Sequence, residues 1–175
     1  MTTHDQGGNV WSSFDIDGVL ASVEYLCRTS RQPSFIDREK VALLNKLKDY
    51  DVKVVISSSW GYNDDTVKQL TNTGLELPII GGTEHFHVDW MCRGNEIAKW
   101  LCVNCEGYNV FTGEAGDYYS EIDYEYVILD DNDDIMLSQK DHFVHVDSYD
   151  ALTEEDIQKC IDILTRRNKK ESREN

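Results

Sequence analysis

Residues 12–20 read SSFDIDGVL. A short run of serines and a phenylalanine leads into Asp15, Ile16 and Asp17, and Gly18 then breaks it. If the chain stays extended through Ile16, the Asp15 and Asp17 side chains point to the same side. Gly18 would let the backbone turn sharply away. Two carboxylates this close repel, so water, a cation or a substrate must offset the repulsion. The stretch reads as the carboxyl end of a strand that carries a polar site.

The same arrangement recurs further along the chain. Strands are predicted at Val10–Asp15, Val52–Ser57, Leu77–Ile80 (ending in Gly81-Gly82), Tyr126–Leu129 and Phe143–Val146. The spacing predicts a helix over Asp37–Tyr50, with Val41, Leu44 and Leu47 on one stripe. A second helix, capped by Asn63 or Asp64, carries Val67 and Leu70 and stops at Gly74. A third, Gly94–Leu101, turns Ile97, Trp100 and Leu101 inward. Thr153-x-x-Asp156 forms a capping box before Ile157, Cys160, Ile161 and Leu164. Strand and helix alternating in this way mean an α/β fold, a central parallel sheet flanked by helices. Such sheets bind ligands at the carboxyl ends of their strands. DID, SSS and DDNDD each follow a predicted strand, so one sheet edge should hold an acidic pocket with hydroxyls.

The totals set bounds on this reading. At 175 residues the chain fits one domain, expected over residues 1–165, and 40% hydrophobic with 29% charged residues is ordinary for a soluble protein. No apolar run approaches the ~20 residues of a membrane helix. MTTHDQGGNV has neither the basic start nor the apolar stretch of a signal peptide, and a cytoplasmic location is expected. The five cysteines form no framework and suit a reduced compartment. Cys102-x-x-Cys105 lacks the second pair that a zinc site needs, and both read as ordinary thiols. The net charge of −16 argues against strong non-specific nucleic-acid binding. Residues 166–175, RRNKKESREN, are net +3 and read as a flexible basic tail, which leaves the body at −19.

Asp130, Asp131, Asp133 and Asp134 make a second acidic cluster, after YVIL. Converging carboxylates stay ionised only around a cation, and an all-oxygen set suits Mg²⁺ better than zinc or copper. VVISSSW (54–60) offers hydroxyls and turn N–H groups to phosphate oxygens. Arg93 stands just before a predicted helix, where anions are already favoured.

FDIDGVL, VVISSSW, RGNEIAKWL and YVILDDNDD, in that order, resemble the four motifs of the haloacid dehalogenase (HAD) superfamily. The closer resemblance is to the small HAD phosphatase domains of Swiss-Army-knife RNA repair proteins. It runs from residue 10 to 165 and includes VDSYDALTEEDIQKCIDIL near the end. It implies a Rossmann-like HAD fold with no or minimal cap. It also implies a Mg²⁺-dependent phosphatase working through an aspartyl-phosphate. Asp15 would be the nucleophile, and Asp17 the acid that protonates the leaving oxygen and then the base that activates water. Ser58, or Ser57 if the strand ends a residue earlier, would bond the phosphoryl oxygens. Arg93 would neutralise their charge. Asp131 with Asp130 or Asp134 would hold Mg²⁺ together with Asp15 and the Ile16 carbonyl, and Asp17 is counted in that metal-site set.

Two departures from the family pattern stand out. The first strand is more polar than usual, so Ser12 and Ser13 need hydrogen-bond partners. Arg93 replaces the usual lysine, with Lys99 as the alternative. Val19–Ile36, with Arg28 and Arg31, and Cys102–Glu125, with Tyr108, Tyr118, Tyr119 and Tyr124, are the places for a cap, and neither is long enough to build its own core. The second could form a flap that stacks on a base, or simply pack on the surface. His85-x-His87 reads as a pair of loop histidines. The expected partner is a phosphorylated substrate, a nucleotide or nucleic-acid end. An unrelated small metabolite, or a non-catalytic module that binds a phosphorylated ligand or a protein, are the alternatives.

Overall fold

The computed structural model describes residues 9–28, 35–85, 91–105, 107–113 and 124–166. Arg31, His87, Tyr118, Tyr119 and the tail after Arg166 lie outside the described residues. The elements run β1 (Asn9–Phe14), α1 (Val23–Arg28), α2 (Arg38–Leu44), β2 (Val52–Ile56), α3 (Asp64–Thr73), β3 (Ile79–Gly82), α4 (Arg93–Asn104), β4 (Tyr124–Asp130), β5 (Phe143–His145) and α5 (Glu154–Leu164). The strands form a five-stranded sheet, β3-β2-β1-β4-β5, parallel throughout. This is the α/β Rossmann-like architecture expected. Strand order reverses beside β1, and ligand crevices form at such a switch point.

Alternation along β4 divides the core in two. Val127 and Leu129 join a large cluster with Phe14, Val54, Ile56, Val41, Leu44, Leu70 and Ile157, which α2, α3 and α5 cover. Tyr126 and Ile128 face the other way, into a smaller cluster with Ile97 and Leu101 of α4. A strand buried on both faces reads as a near-continuous apolar run, and YVIL does. Trp100, expected on the inner face, is half-buried and meets Trp11 edge-on at 5.2 Å.

Helix ends follow local chemistry. Asn63 caps α3 by accepting from Thr66 N at 3.0 Å, and Gly74 closes it with φ 108°. Thr153 and Asp156 form the expected capping box at the start of α5. The helix expected over Asp37–Tyr50 is corrected: α2 ends at Leu44 and the chain tightens into a 3-10 helix over Asn45–Tyr50. Asn45 is drawn aside at this junction, donating to Gly74 O at 2.8 Å and accepting from Glu76 N at 2.9 Å. β3 ends in Gly81 and Gly82 as expected, with both inside the strand, and it begins at Ile79 and not at Leu77. A side chain there would collide with neighbours, since a Cβ on Gly82 would stand 2.4 Å from Tyr62 Cβ. The short α1 and a second 3-10 helix, Leu137–His142, went unforeseen.

Ser12 and Ser13 are buried in the central strand, and neither hydroxyl finds the partner expected. Both strands beside β1 already use its backbone groups. Arg166, the first residue of the expected tail, is docked: its Nη2 donates to buried Glu125 Oε1 at 2.7 Å. No helix among the described residues is long and apolar enough to cross a membrane.

Gly94 lets α4 approach the chain after β4. A Cβ there would lie 2.3 Å from Met136 N and 2.8 Å from the Ile135 carbonyl carbon, both backbone atoms. Backbone yields less readily than a side chain, so Gly94→Ala should cost at least about 1–3 kcal/mol of stability. Urea unfolding checks this, and an unchanged midpoint would show that the approach is not tight.

Candidate active site

Register brings the polar residues together. Phe14 pairs with Ile56 on one side and with Leu129 on the other. The next residue on each strand is Asp15, Ser57 and Asp130. The ladder extends one step further, with Asp15 N donating to Leu129 O at 3.0 Å and Ser57 N to Phe14 O at 3.1 Å. Asp15, Asp130 and Asp131 each offer a carboxylate oxygen, all within 4.8 Å of one another. Among the described residues these form a cluster fit for a metal ion. Asp15 and Asp130 are buried and Asp131 is half-buried. Gly18, at φ 72°, makes the close approach possible, because a Cβ there would fall 2.2 Å from Asp131 Oδ2.

Asp17 and Asp134 stand apart from that cluster. Asp17 Oδ2 accepts from Trp60 Nε1 at 3.1 Å. Asp134 serves the start of α4, its Oδ2 accepting from Arg93 N at 3.1 Å and its carbonyl from Gly94 N at 3.0 Å. The Ile16 carbonyl already accepts from Leu20 N at 2.9 Å, which leaves it one lone pair.

Arg93 reaches from the first residue of α4 over this edge. Its Nη2 lies 3.6 Å from Asp15 Oδ2, its Nε 3.8 Å from Asp130 Oδ2 and its Nη1 3.5 Å from Glu96 Oε2. These are ion pairs too long to be hydrogen bonds. Accordingly Arg93 Nη1, Asp130 Oδ2 and Ser57 Oγ are buried atoms with no hydrogen-bond partner. Ser58 is buried as well, its Oγ accepting weakly from Trp60 N at 3.4 Å. Lys99 faces outward and pairs with Glu84, away from the cluster.

A pocket of about 280 Å³ opens over the cluster, lined by Asp15, His85, Met91, Arg93, Glu96, Asp130, Asp131, Asn132 and Asp134. Ser57 and Ser58 do not line it. Sequence reasoning missed Glu96, a buried carboxylate paired with both Arg93 and His85. Its position three residues after Arg93, on the same helix face, was the available signal. It also missed Trp60, whose partner is remote in sequence.

The acids respond to this crowding. Burial, together with repulsion from Asp15, pushes the Asp130 carboxyl up to about 6, against the pull of the Asn132 N–H. Asp131 is raised by burial and by Asp15. Asp17 is raised chiefly by burial, opposed by the Trp60 hydrogen bond. The thiols differ: burial pushes Cys105 up to about 12, which makes it inert.

A family model described as HAD domain in Swiss Army Knife RNA repair proteins matches residues 13–157. No curated protein and no solved structure matches the chain.

The raised Asp130 has a consequence for stability. Its folded value lies above the unfolded one, so the native state holds the proton longer. Metal-free stability should therefore fall as pH rises from about 4 to about 6. Asp130→Asn should remove that fall and stabilise the metal-free protein at pH 7 by up to roughly 3 kcal/mol. It should also abolish any rise in Tm on adding Mg²⁺. Thermal unfolding with chelator and with Mg²⁺, for both proteins, measures each effect.

Proposed function

Since this chain belongs to the family of HAD domains found in Swiss Army Knife RNA repair proteins, we propose that it is a Mg²⁺-dependent phosphomonoesterase working through an aspartyl-phosphate. Its proposed substrates are nucleotides or phosphorylated nucleic-acid ends. The observation that carries the reading is the convergence at one sheet edge of three carboxylates, with oxygens within 4.8 Å of one another, and an arginine held to two of them only by long ion pairs. Asp130 Oδ2 is buried there without a hydrogen-bond partner and can only accept while ionised, which suits a cation. A guanidinium held this loosely suits phosphoryl oxygens.

The donor set fits Mg²⁺: three carboxylates, all oxygen, at the mouth of an open pocket. Asp15, Asp130 and Asp131 would hold it, and when bound it would shield Asp15 from the anionic ester and draw charge from the phosphoryl group. Asp15 attacks phosphorus in line, while Arg93 stabilises the charge spread over the equatorial oxygens. Ser57 directly follows the end of β2 at Ile56, but neither it nor Ser58 lines the pocket. Arg93 is preferred to Lys99 because only Arg93 reaches the cluster. Asp17, outside the three-carboxylate cluster, is left to move protons. The body charge of −19 favours short substrates over long polyanions.

Phosphate release from 4-nitrophenyl phosphate should require Mg²⁺ and should fall at least 10³-fold, as an order of magnitude, in Asp15→Asn, which keeps shape and removes the nucleophile. Equal slow release by both proteins would leave a binding module instead. Arg93→Lys should retain more activity than Arg93→Ala, yet fall short of wild type because the planar fork is lost. Comparing kcat/KM for a 3′-phosphorylated oligonucleotide, nucleoside monophosphates and sugar phosphates ranks the substrate classes. A preference for sugar phosphates would move the proposal to a metabolite.

A further inference from the structure

Trp60 closes the VVISSSW stretch, and its indole is built into the site. Nε1 donates to Asp17 Oδ2 at 3.1 Å. The residue is held at both ends of its peptide: its N–H donates to Ser58 Oγ at 3.4 Å. Its carbonyl accepts from Asn63 Nδ2 at 2.9 Å and from Thr66 Oγ1 at 3.3 Å. Asn63 and Thr66 are the residues that start α3. The indole also packs against the larger apolar cluster. Its position is thus fixed by a helix N-terminus and by the core, independently of Asp17.

An indole N–H can only donate. Asp17 Oδ2 must then act as acceptor whether Asp17 is ionised or neutral, and because a carbonyl oxygen accepts better than a hydroxyl, a proton on this carboxyl is favoured on Oδ1. From this geometry we propose that Trp60 is a positioning residue, which assigns Oδ1 as the proton-carrying atom and fixes the carboxyl plane for transfer. The inference rests on the reading of Asp17 as the acid and base of the proposed phosphatase. In the first step an Asp15 oxygen bonds to phosphorus, the ester P–O bond breaks, and the proton on Asp17 Oδ1 passes to the departing oxygen. In the second, water attacks phosphorus and gives a proton to the ionised Oδ1. The bond between Asp15 and phosphorus breaks, and inorganic phosphate leaves. Oδ2 keeps its indole N–H through both steps, and Asp17 ends protonated as it began.

A series of aryl phosphates of similar shape, from 4-nitrophenyl to 4-methoxyphenyl, separates this role from a structural one. The 4-nitrophenolate leaves without help, whereas the weaker acids need the proton. Because kcat/KM reports the steps up to transfer onto Asp15, it isolates the protonation of the leaving oxygen. Trp60→Phe should lower kcat/KM by roughly tenfold for the 4-methoxyphenyl ester, a part of the 10²–10⁴ that general acids contribute. For the 4-nitrophenyl ester the loss should stay below about twofold. Asp17→Asn should steepen the same dependence further. If Trp60→Phe lowers all esters equally, or none, while Asp17→Asn steepens the series, Trp60 does not position the acid. If Asp17→Asn leaves the series flat, Asp17 is not the acid and the role of Trp60 falls with it. Should Trp60→Phe fail to fold, site-specific replacement by benzothienylalanine, which keeps the bicyclic shape without the N–H, gives the same two readings.

Discussion

The register between β1 and β4 forces Asp15 and Asp130 side by side at the carboxyl edge of the sheet. Everything at this edge answers that constraint. Neither acid can retreat, because Asp130 ends β4 and Asp15 directly follows β1, and both strands pack side chains into the core on each face. Slipping one strand by a residue would relieve the repulsion, yet it would exchange the side chains between its two buried faces. The core therefore holds the carboxylates together, and part of the folding free energy is spent on their proximity. Burial of Asp130 and its raised carboxyl are the local record of that cost.

Arg93 is the counterweight, and α4 is arranged to deliver it. Asp134 caps the first N–H groups of the helix, so the same acidic loop that follows β4 also orients the cation facing β4. Gly94 lets the helix settle against the backbone at Ile135 and Met136, and Gln139 Nε2 donates to the Gly94 carbonyl at 2.9 Å. Glu96 then takes one guanidinium nitrogen and leaves the others turned towards Asp15 and Asp130. Long ion-pair distances are what a site needs if that guanidinium is to exchange carboxylates for a phosphoryl group. A tight bidentate pair with Asp15 would have to be broken first.

The sequence made the sheet, its strand ends and the acids that follow them legible, because each is written locally: an apolar or β-branched run, then acids or hydroxyls. Asp15, Asp130 and Asp131 converge because parallel strands put equivalent ends on one edge, and α4 brings Arg93 to them. What stayed hidden depends on contacts between distant segments. Asp134 looked like one more acid of DDNDD, but its work is at a helix that begins forty-one residues earlier. Asp17 and Trp60 are separated by 43 residues, and no periodicity links them. Asn45 could not announce that it would clamp the turn beyond α3 and so tighten its own helix. Ser12 and Ser13 were expected to find partners and do not. Their hydroxyls occupy a central strand with both ladders filled, a burden of about 1–3 kcal/mol for each unpaired group.

Charge decides what the pocket can admit. Its walls carry Asp15, Glu96, Asp130, Asp131 and Asp134 against the guanidinium of Arg93. A dianionic ester would meet more repulsion than attraction there, and at the low dielectric of a half-buried edge a single uncompensated pair at 4 Å is worth about 4 kcal/mol. Arg93 by itself cannot reverse that balance, since Glu96 already takes part of its charge. A divalent cation held by the three clustered carboxylates would reverse it, offsetting two negative charges beside Arg93. The raised carboxyls of Asp130 and Asp131 point the same way, because a group that resists ionisation when alone ionises readily beside a cation.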